Sequence, residues 1–307
     1  MKDSMLERND IGVLHVLLRD SRASEQQIAE IVNIAPRGVE VRMENMIKEG
    51  VIRSMTAKPS LASLGARSVL VYGKSRLRSI EEALSHLGGN ESIAWIAHST
   101  GGRFYAALHL KKGEDIDAAV RSVESGAMML RPTAAVRELF DLTGPYRYSS
   151  LDWKIVYSLK DDPRKALQDV AIELGVAEAK VVERFEKMVV NGVLDFSIDL
   201  DTNSVSNLLC MFHVESLHPE GTESAVEDIM TKHSPNMLFF NTYSNMRHML
   251  TAMAVVDDFE EVKAIVRSLQ EREEFAYIEA DPIISSTLLK TWCDKLIMKK
   301  GDPSLRR

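Results

Sequence analysis

The chain has 307 residues, and 38 Lys and Arg against 45 Asp and Glu give a formal net charge of -7. Hydrophobic residues at 45 % and charged residues at 27 % match a folded globular chain and exclude pervasive disorder, and the length suits two or more domains. Two cysteines, Cys210 and Cys293, exclude a disulfide framework and a four-thiolate zinc site. No stretch approaches ~18 uncharged apolar residues and the first ten residues are too charged for a signal sequence, so the expectation is a cytoplasmic chain with no membrane partner. The charge is uneven: residues 1–150 carry 20 basic and 18 acidic side chains, residues 151–307 carry 18 and 27. A uniformly basic nucleic-acid coat is excluded, whereas a local basic face is not.

In chain order, apolar residues at 11, 14, 17 and 18 make one face of a first helix. Ser24 is an N-cap with Gln27 at the capping-box spacing, and Ile28, Ala29, Ile31 and Val32 follow. Asn33 ends that helix. Pro36 fits the first turn of a third helix with Val39, Met43, Met46 and Ile47 inward and Gly50 as its C-terminal glycine. The four-residue turn between the second and third helices is helix-turn-helix spacing, and 51–57 reads as an extended wing strand. Strands near 68–73, 92–99, 103–110 and 128–138 then alternate with helices near 77–88 and before 123, in the β-α-β-β-α-β order of a ferredoxin-like sandwich.

Shifting the chain by 142 positions aligns 10–52 with 152–194 without a gap. Thirteen of the 43 positions are identical, among them Asp10, Arg22, Gln26, Arg42, Glu44 and Gly50, where chance would give roughly two or three. The module is duplicated, and its sandwich recurs more weakly through strands at 208–214, 236–243, 247–255 and 274–280. The expected fold class is α+β, with two winged helix-turn-helix domains alternating with two ferredoxin-like βαββαβ sandwiches. The spans are 1–60, 66–143, 150–202 and 205–284, with a C-terminal helix and basic tail over 285–307. Gly144–Ser150 reads as the linker.

The run from Asp10-Ile-Gly-Val-Leu to Gly50-Val51-Ile52, followed by a sandwich, resembles the Lrp/AsnC (feast/famine) transcription regulators, with the text from Arg42 through Glu44 and Met46 to Glu49-Gly50-Val51-Ile52 the most family-like. An ordinary subunit of that family is about half this chain, so the chain resembles two subunits fused in tandem. The resemblance implies a sequence-specific DNA-binding regulator with double-stranded DNA as partner. It also implies an amino acid or related metabolite as effector at the sandwiches. No cofactor, metal or enzymatic activity is expected, and a palindromic site calls for a homodimer or larger even assembly.

The N-terminal part of the third helix is the expected major-groove reader: Arg37, Gly38, Glu40 and Val41, with Arg42 one turn on. Arg37 can pair bidentately with guanine or bond a phosphate, Gly38 permits close backbone approach, and Arg42 either grips phosphate or, because it recurs as Arg184, forms a salt bridge inside the motif. Ser24 and Gln26 add phosphate contacts at a helix N-terminus, and Arg53 and Lys58 on the wing reach the flanking backbone. In the second module glutamate replaces Pro36 and Ala179 replaces Arg37. Residues 151–205 carry 7 basic and 11 acidic side chains against 9 and 9 over 1–60, which marks this copy as degenerate for DNA.

The effector turn implied by the family falls on Thr100, Gly101, Gly102 and Arg103, whose N–H groups and guanidinium suit a carboxylate; a plain hairpin turn is the alternative. The corresponding turn of the second sandwich keeps Arg247 but neither glycine. Cys210 and Met211 fall on opposite faces of a strand, so with His213 and His218 they form no metal set. Two other functions stay open: a tetrapyrrole decarboxylase resembling the sirohaem decarboxylases of this architecture, and a regulator acting only through protein contacts. Thr56-Ala57-Lys58-Pro59-Ser60 lacks the His-Arg pair that those enzymes tend to carry after the wing, although His98 and His109 do stand on sandwich strands.

Overall fold

The computed structural model describes residues 5–139, 146–302 and 304. Three helices come first: α1 (Arg8–Arg19), α2 (Glu25–Val32) and α3 (Pro36–Lys48). Ser24 and Gln27 form the reciprocal capping box at the start of α2, and Asn33 ends it in the left-handed region at φ 59°. Pro36 occupies the first turn of α3, where its missing N–H has no helical partner to lose. The second module repeats this as α6 (Ser150–Leu159), α7 (Leu167–Leu174) and α8 (Glu178–Val190). Gly175 there takes the left-handed place of Asn33, at φ 63°. The two residue types most tolerant of that conformation thus mark the same turn.

The wings depart from expectation. β1 (Ile52–Pro59) and β6 (Leu194–Leu200) are not edge strands beside their own helices; they pair antiparallel with each other, Met55 opposite Ile198 and Thr56 opposite Ser197. Each strand satisfies the backbone groups that a lone wing would leave open.

The first sandwich comprises β2 (Arg67–Ser75), α4 (Ile80–Leu87), β3 (Ile93–Ser99), β4 (Arg103–Leu110), α5 (Ile116–Gly126) and β5 (Met129–Val136). The second comprises β7 (Leu208–Ser216), α9 (Glu220–His233), β8 (Met237–Thr242), β9 (Met249–Val256), α10 (Phe259–Gln270) and β10 (Phe275–Leu288). Their strands form one sheet in the order β5-β2-β4-β3-β10-β7-β9-β8, joined where β10 pairs with β3. The outer strands meet as well. Arg137 bridges Tyr243, Glu138 N–H donates to the Thr242 carbonyl, and the Asn245 side chain bonds both Val136 N–H and the Ala134 carbonyl. The two ends of the sheet therefore touch at one corner within the chain, beyond the end of β5 and after β8.

Strand alternation gives each sandwich an outer core against its helices and sends the other face inward. Val69, Val71, Phe104 and Leu108 pack under α4 and α5, and Cys210, Phe212, Val214 and Ala252 under α9 and α10. Leu70, Tyr105, Met211, Met249 and Met253 face inward and run continuously into the core of the first helix-turn-helix. Cys210 and Met211 do lie on opposite faces. The C-terminal segment is a strand to Leu288 and then α11 (Trp292–Gly301), capped by Thr291. It lies against α6 and completes the core of the second module, so this helix covers a domain rather than projecting outward. The linker expected at Gly144–Ser150 is described only from Tyr146 onward.

Candidate nucleic-acid interface and ligand turns

The start of α3 points away from the body of the protein. The Arg37 side chain is 74 % exposed and its guanidinium pairs with Glu40 one turn on, at 2.6 Å. An exposed pair at this spacing is weak and exchangeable, so Arg37 can leave Glu40 for a phosphate or a guanine edge. A Cβ on Gly38 would touch only Ile34, at 3.9 Å. Its small size is therefore not required by packing and leaves room outside the helix. Val41 is exposed on the same face. Glu40 and Glu44 also lie there and oppose phosphate, which concentrates the attraction at the N-terminal end of the helix.

The other candidate DNA residues are tied into the protein. Arg42 donates to Asp10 at 2.7 Å and to Glu7 at 2.8 Å. Arg184 makes the same bond to Asp152, a fully buried carboxylate that also caps Ser149 N–H. The recurrence of this arginine thus marks an internal salt bridge that locks the third helix to the first in both modules. Arg53 pairs with Asp201, and Lys58 pairs with Asp294 at 2.8 Å beside α11. The crossed pairing of β1 and β6 turns this wing end inward. Ser24 accepts from Gln27 N–H as a helix cap, and Gln26 donates to Glu30 at 2.9 Å.

One repeat identity has a function that periodicity does not show. The Arg22 guanidinium lies 4.6 Å from the Phe185 ring and donates to the Pro163 carbonyl, in the other module. Its counterpart Arg164 reaches back to the Ser21 and Ala23 carbonyls and to Glu25. This reciprocal exchange clamps the modules together at the entry to their second helices. The available signal was the identity of both arginines; their partners lie about 140 residues away.

At the first turn, Gly102 has φ +70°, and Lys74 Nζ donates to the Gly101 carbonyl at 2.5 Å. Thr100 N–H donates to the Pro282 carbonyl. Arg103 turns inward to Glu279 at 2.8 Å and Asp281 at 3.1 Å, so its guanidinium already holds two carboxylates. Asp281 also accepts from the Tyr105 hydroxyl at 2.7 Å, and His213 Nε2 lies 2.8 Å from that hydroxyl. With its proton committed to Asp281, the hydroxyl oxygen accepts from His213. Burial, then Arg103, pushes His213 down to about 4, so the imidazole is neutral. The second turn meets the other end of the sheet through Asn245, with Arg247 exposed to one side of it. Among the described residues no cluster of three metal-ligating side chains occurs, and no helix is long and apolar enough to cross a membrane.

Residues 6–53 match a family model described as winged helix-turn-helix DNA-binding. An uncharacterised HTH-type transcriptional regulator of Pyrococcus horikoshii is 26 % identical over 112 residues, covering 36 % of this chain and 75 % of that protein. One of Pyrococcus furiosus is 31 % identical over 87 residues, 27 % of this chain and 59 % of that one. Among solved structures, the siroheme decarboxylase NirDL overlays 95 % of this chain and 98 % of its own, at TM-score 0.62 and 14 % identity: the same fold from end to end. The AsnC structure of E. coli overlays 48 % of this chain and 98 % of its own, at 16 % identity and TM-score 0.39.

Proposed function

We propose that this chain, an Lrp/AsnC-type protein with two subunit-sized halves fused in tandem, is a sequence-specific DNA-binding transcription regulator of the cytoplasm. The carrying observation is the outward N-terminus of α3, with Arg37 and Gly38 presented on the module that matches the winged helix-turn-helix model. Arg37 reads or grips the duplex, Gly38 and Val41 allow close approach, and Ser24 and Gln26 lie at the neighbouring N-terminus of α2. Arg42, Arg53 and Lys58 act by holding the module in shape.

The second module supports rather than reads: α8 opens on Glu178-Ala179-Lys180, with a carboxylate at its first position and no arginine at its second. A symmetric DNA site then needs the first modules of two chains, hence a homodimer or larger even assembly. A small metabolite effector at the sandwiches is part of this reading. At Thr100–Gly102 it would meet backbone N–H groups, with Arg103 withheld by its own carboxylates.

In this reading the chain regulates and does not catalyse. The likeness to siroheme decarboxylase NirDL is one of fold, and the post-wing text lacks the His-Arg pair. The test is binding to the DNA upstream of the protein's own gene across a salt series. Affinity should fall steeply with salt, and Arg37→Ala should weaken specific binding by about tenfold or more. Absent or salt-insensitive binding by the wild type overturns the regulator, and a tetrapyrrole absorption band in the purified protein would point to the enzyme.

A further inference from the structure

The two halves of the sheet turn corresponding rungs toward the β1–β6 ribbon, and those rungs carry opposite chemistry. In the second half, Leu209 on β7 stands between Val255 on β9 and Ile283 on β10. Leu6, Leu14, Leu200 and Leu238 close over Leu209 and Val255, leaving a void of about 10 Å³, room for a water at most. In the first half the same rung reads Ser68 on β2, His109 on β4 and Arg137 just beyond β5, whose N–H donates to the Ser68 carbonyl. The repeat puts Lys58 where the second half has Leu200, and Asp195 faces Lys58 across the ribbon. Trp292 Nε1 donates to the His109 carbonyl at 2.6 Å, which makes α11 the far wall.

Two polar groups here have no described partner. Neither the Arg137 guanidinium nor Ser68 Oγ makes a side-chain hydrogen bond or ion pair to any described residue. Arg137 and Asp195 are both accessible to solvent, yet desolvation is the largest influence on each, lowering the guanidinium and lifting the Asp195 carboxyl to about 6. Accessible groups that are nevertheless poorly hydrated line a recess rather than a convex surface.

We propose that this recess is a binding site for a small organic carboxylate, gripped by Arg137 with Lys58 and Ser68 beside it. Charge selects the class. Asp294 already holds Lys58 at 2.8 Å, so Arg137 is the cation here whose side chain has no hydrogen bond or ion pair among the described residues; a single guanidinium suits a monoanion, and the neighbouring Asp195 disfavours a phosphate dianion. His109 adds a hydrogen-bonding ring and no charge, since burial, then Lys58 and Arg137, hold it at about 4 against Asp294. The remaining neighbours of Asp195 are the Tyr148 hydroxyl and the Cys293 thiol, both shifted upward by burial and neutral at physiological pH. Asp195 is therefore the group that titrates first as pH falls from neutral, and its protonation removes a negative charge facing the ligand. Carboxylate binding tightens as pH falls through about 6. None of its residues lies on α3, and its test does not depend on DNA binding.

The test is thermal unfolding of the full chain with sodium acetate, sodium lactate or inorganic phosphate at constant ionic strength. Acetate or lactate should raise Tm saturably, more so near pH 5.5 than near pH 7.5. Arg137→Gln should weaken the apparent Kd by about tenfold or more, whereas Arg247→Gln should not change it. Ser68→Val, which gives the floor the apolar character of its counterpart, should abolish the shift and supplies an independent variant if Arg137→Gln folds poorly. No saturable shift with either carboxylate, a shift that survives both Arg137→Gln and Ser68→Val, or stabilisation by phosphate alone would overturn the proposal.

Discussion

The two helix-turn-helix modules share an internal lock and differ in what they present outward. In each, an arginine of the third helix reaches a carboxylate of the first: Arg42 to Asp10, Arg184 to Asp152. In the first module the arginine keeps a second, exposed partner in Glu7. In the second the carboxylate is fully buried, Tyr146 adds a hydrogen bond, and α11 covers the neighbouring face. The outward ends reverse this ranking. α3 begins Pro36-Arg37-Gly38, α8 Glu178-Ala179-Lys180. Duplication has left one copy more deeply built into the body and the other better equipped to meet a polyanion.

That contrast can be broken most forcefully at the buried lock. Asp152→Asn strands Arg184 and should destabilise the protein by about 3–5 kcal/mol, read as a fall in Tm, whereas Asp10→Asn should cost about 1 kcal/mol because Arg42 keeps Glu7. Burial works against the Asp152 charge, but Arg184 and Ser149 N–H outweigh it and hold the carboxyl below its ordinary value of 3.8. The folded pKa is depressed, so this stabilisation is complete above the ordinary carboxylate range and is lost as pH falls through and below it. Equal losses from Asp152→Asn and Asp10→Asn would erase the distinction between the modules.

Next in size is the helix that only the second module has. A side chain on Gly301 would run into Tyr157 and the Trp153 carbonyl of α6. Gly301→Val should cost about 2–3 kcal/mol and expose Trp292, detectable as a red shift of its emission, with DNA binding by the first module retained. The smallest expected effect sharpens the outward contrast: Lys180→Ala should change DNA affinity by less than about twofold, because its helix starts acidic and its module carries an acidic excess. A loss matching that of Arg37→Ala would return α8 to the DNA.

Much of the architecture is legible in local text. Ser24 with Gln27, Asn33, Pro36 and Gly50 specify helix ends by short-range hydrogen bonding and backbone sterics, and strand alternation separates Cys210 from Met211. The 142-residue repeat then supplies the second copy. The salt bridge of Arg42 was legible as one of two readings, because that arginine recurs where Arg37, the residue proposed to read DNA, does not. What stayed hidden depends on contacts between the copies. Nothing in the neighbourhood of Arg53 or Lys58 announces that β1 pairs with β6. Arg103 meets Asp281, 178 positions away, and Arg22 meets its partners in the other module.

The sequence by itself determined the modules, their order, their duplication and which copy keeps an arginine at the head of its third helix. These follow from interactions within a few turns of chain, which composition and spacing encode directly. Only the tertiary structure decided that the two sandwiches join into one sheet, that the wings cross, and that one rung is leucine-filled in one half and charged in the other. Those outcomes turn on which distant strand supplies the missing hydrogen bonds and which side chains then share a recess. That pairing is set by register between copies, which no local stretch of sequence records.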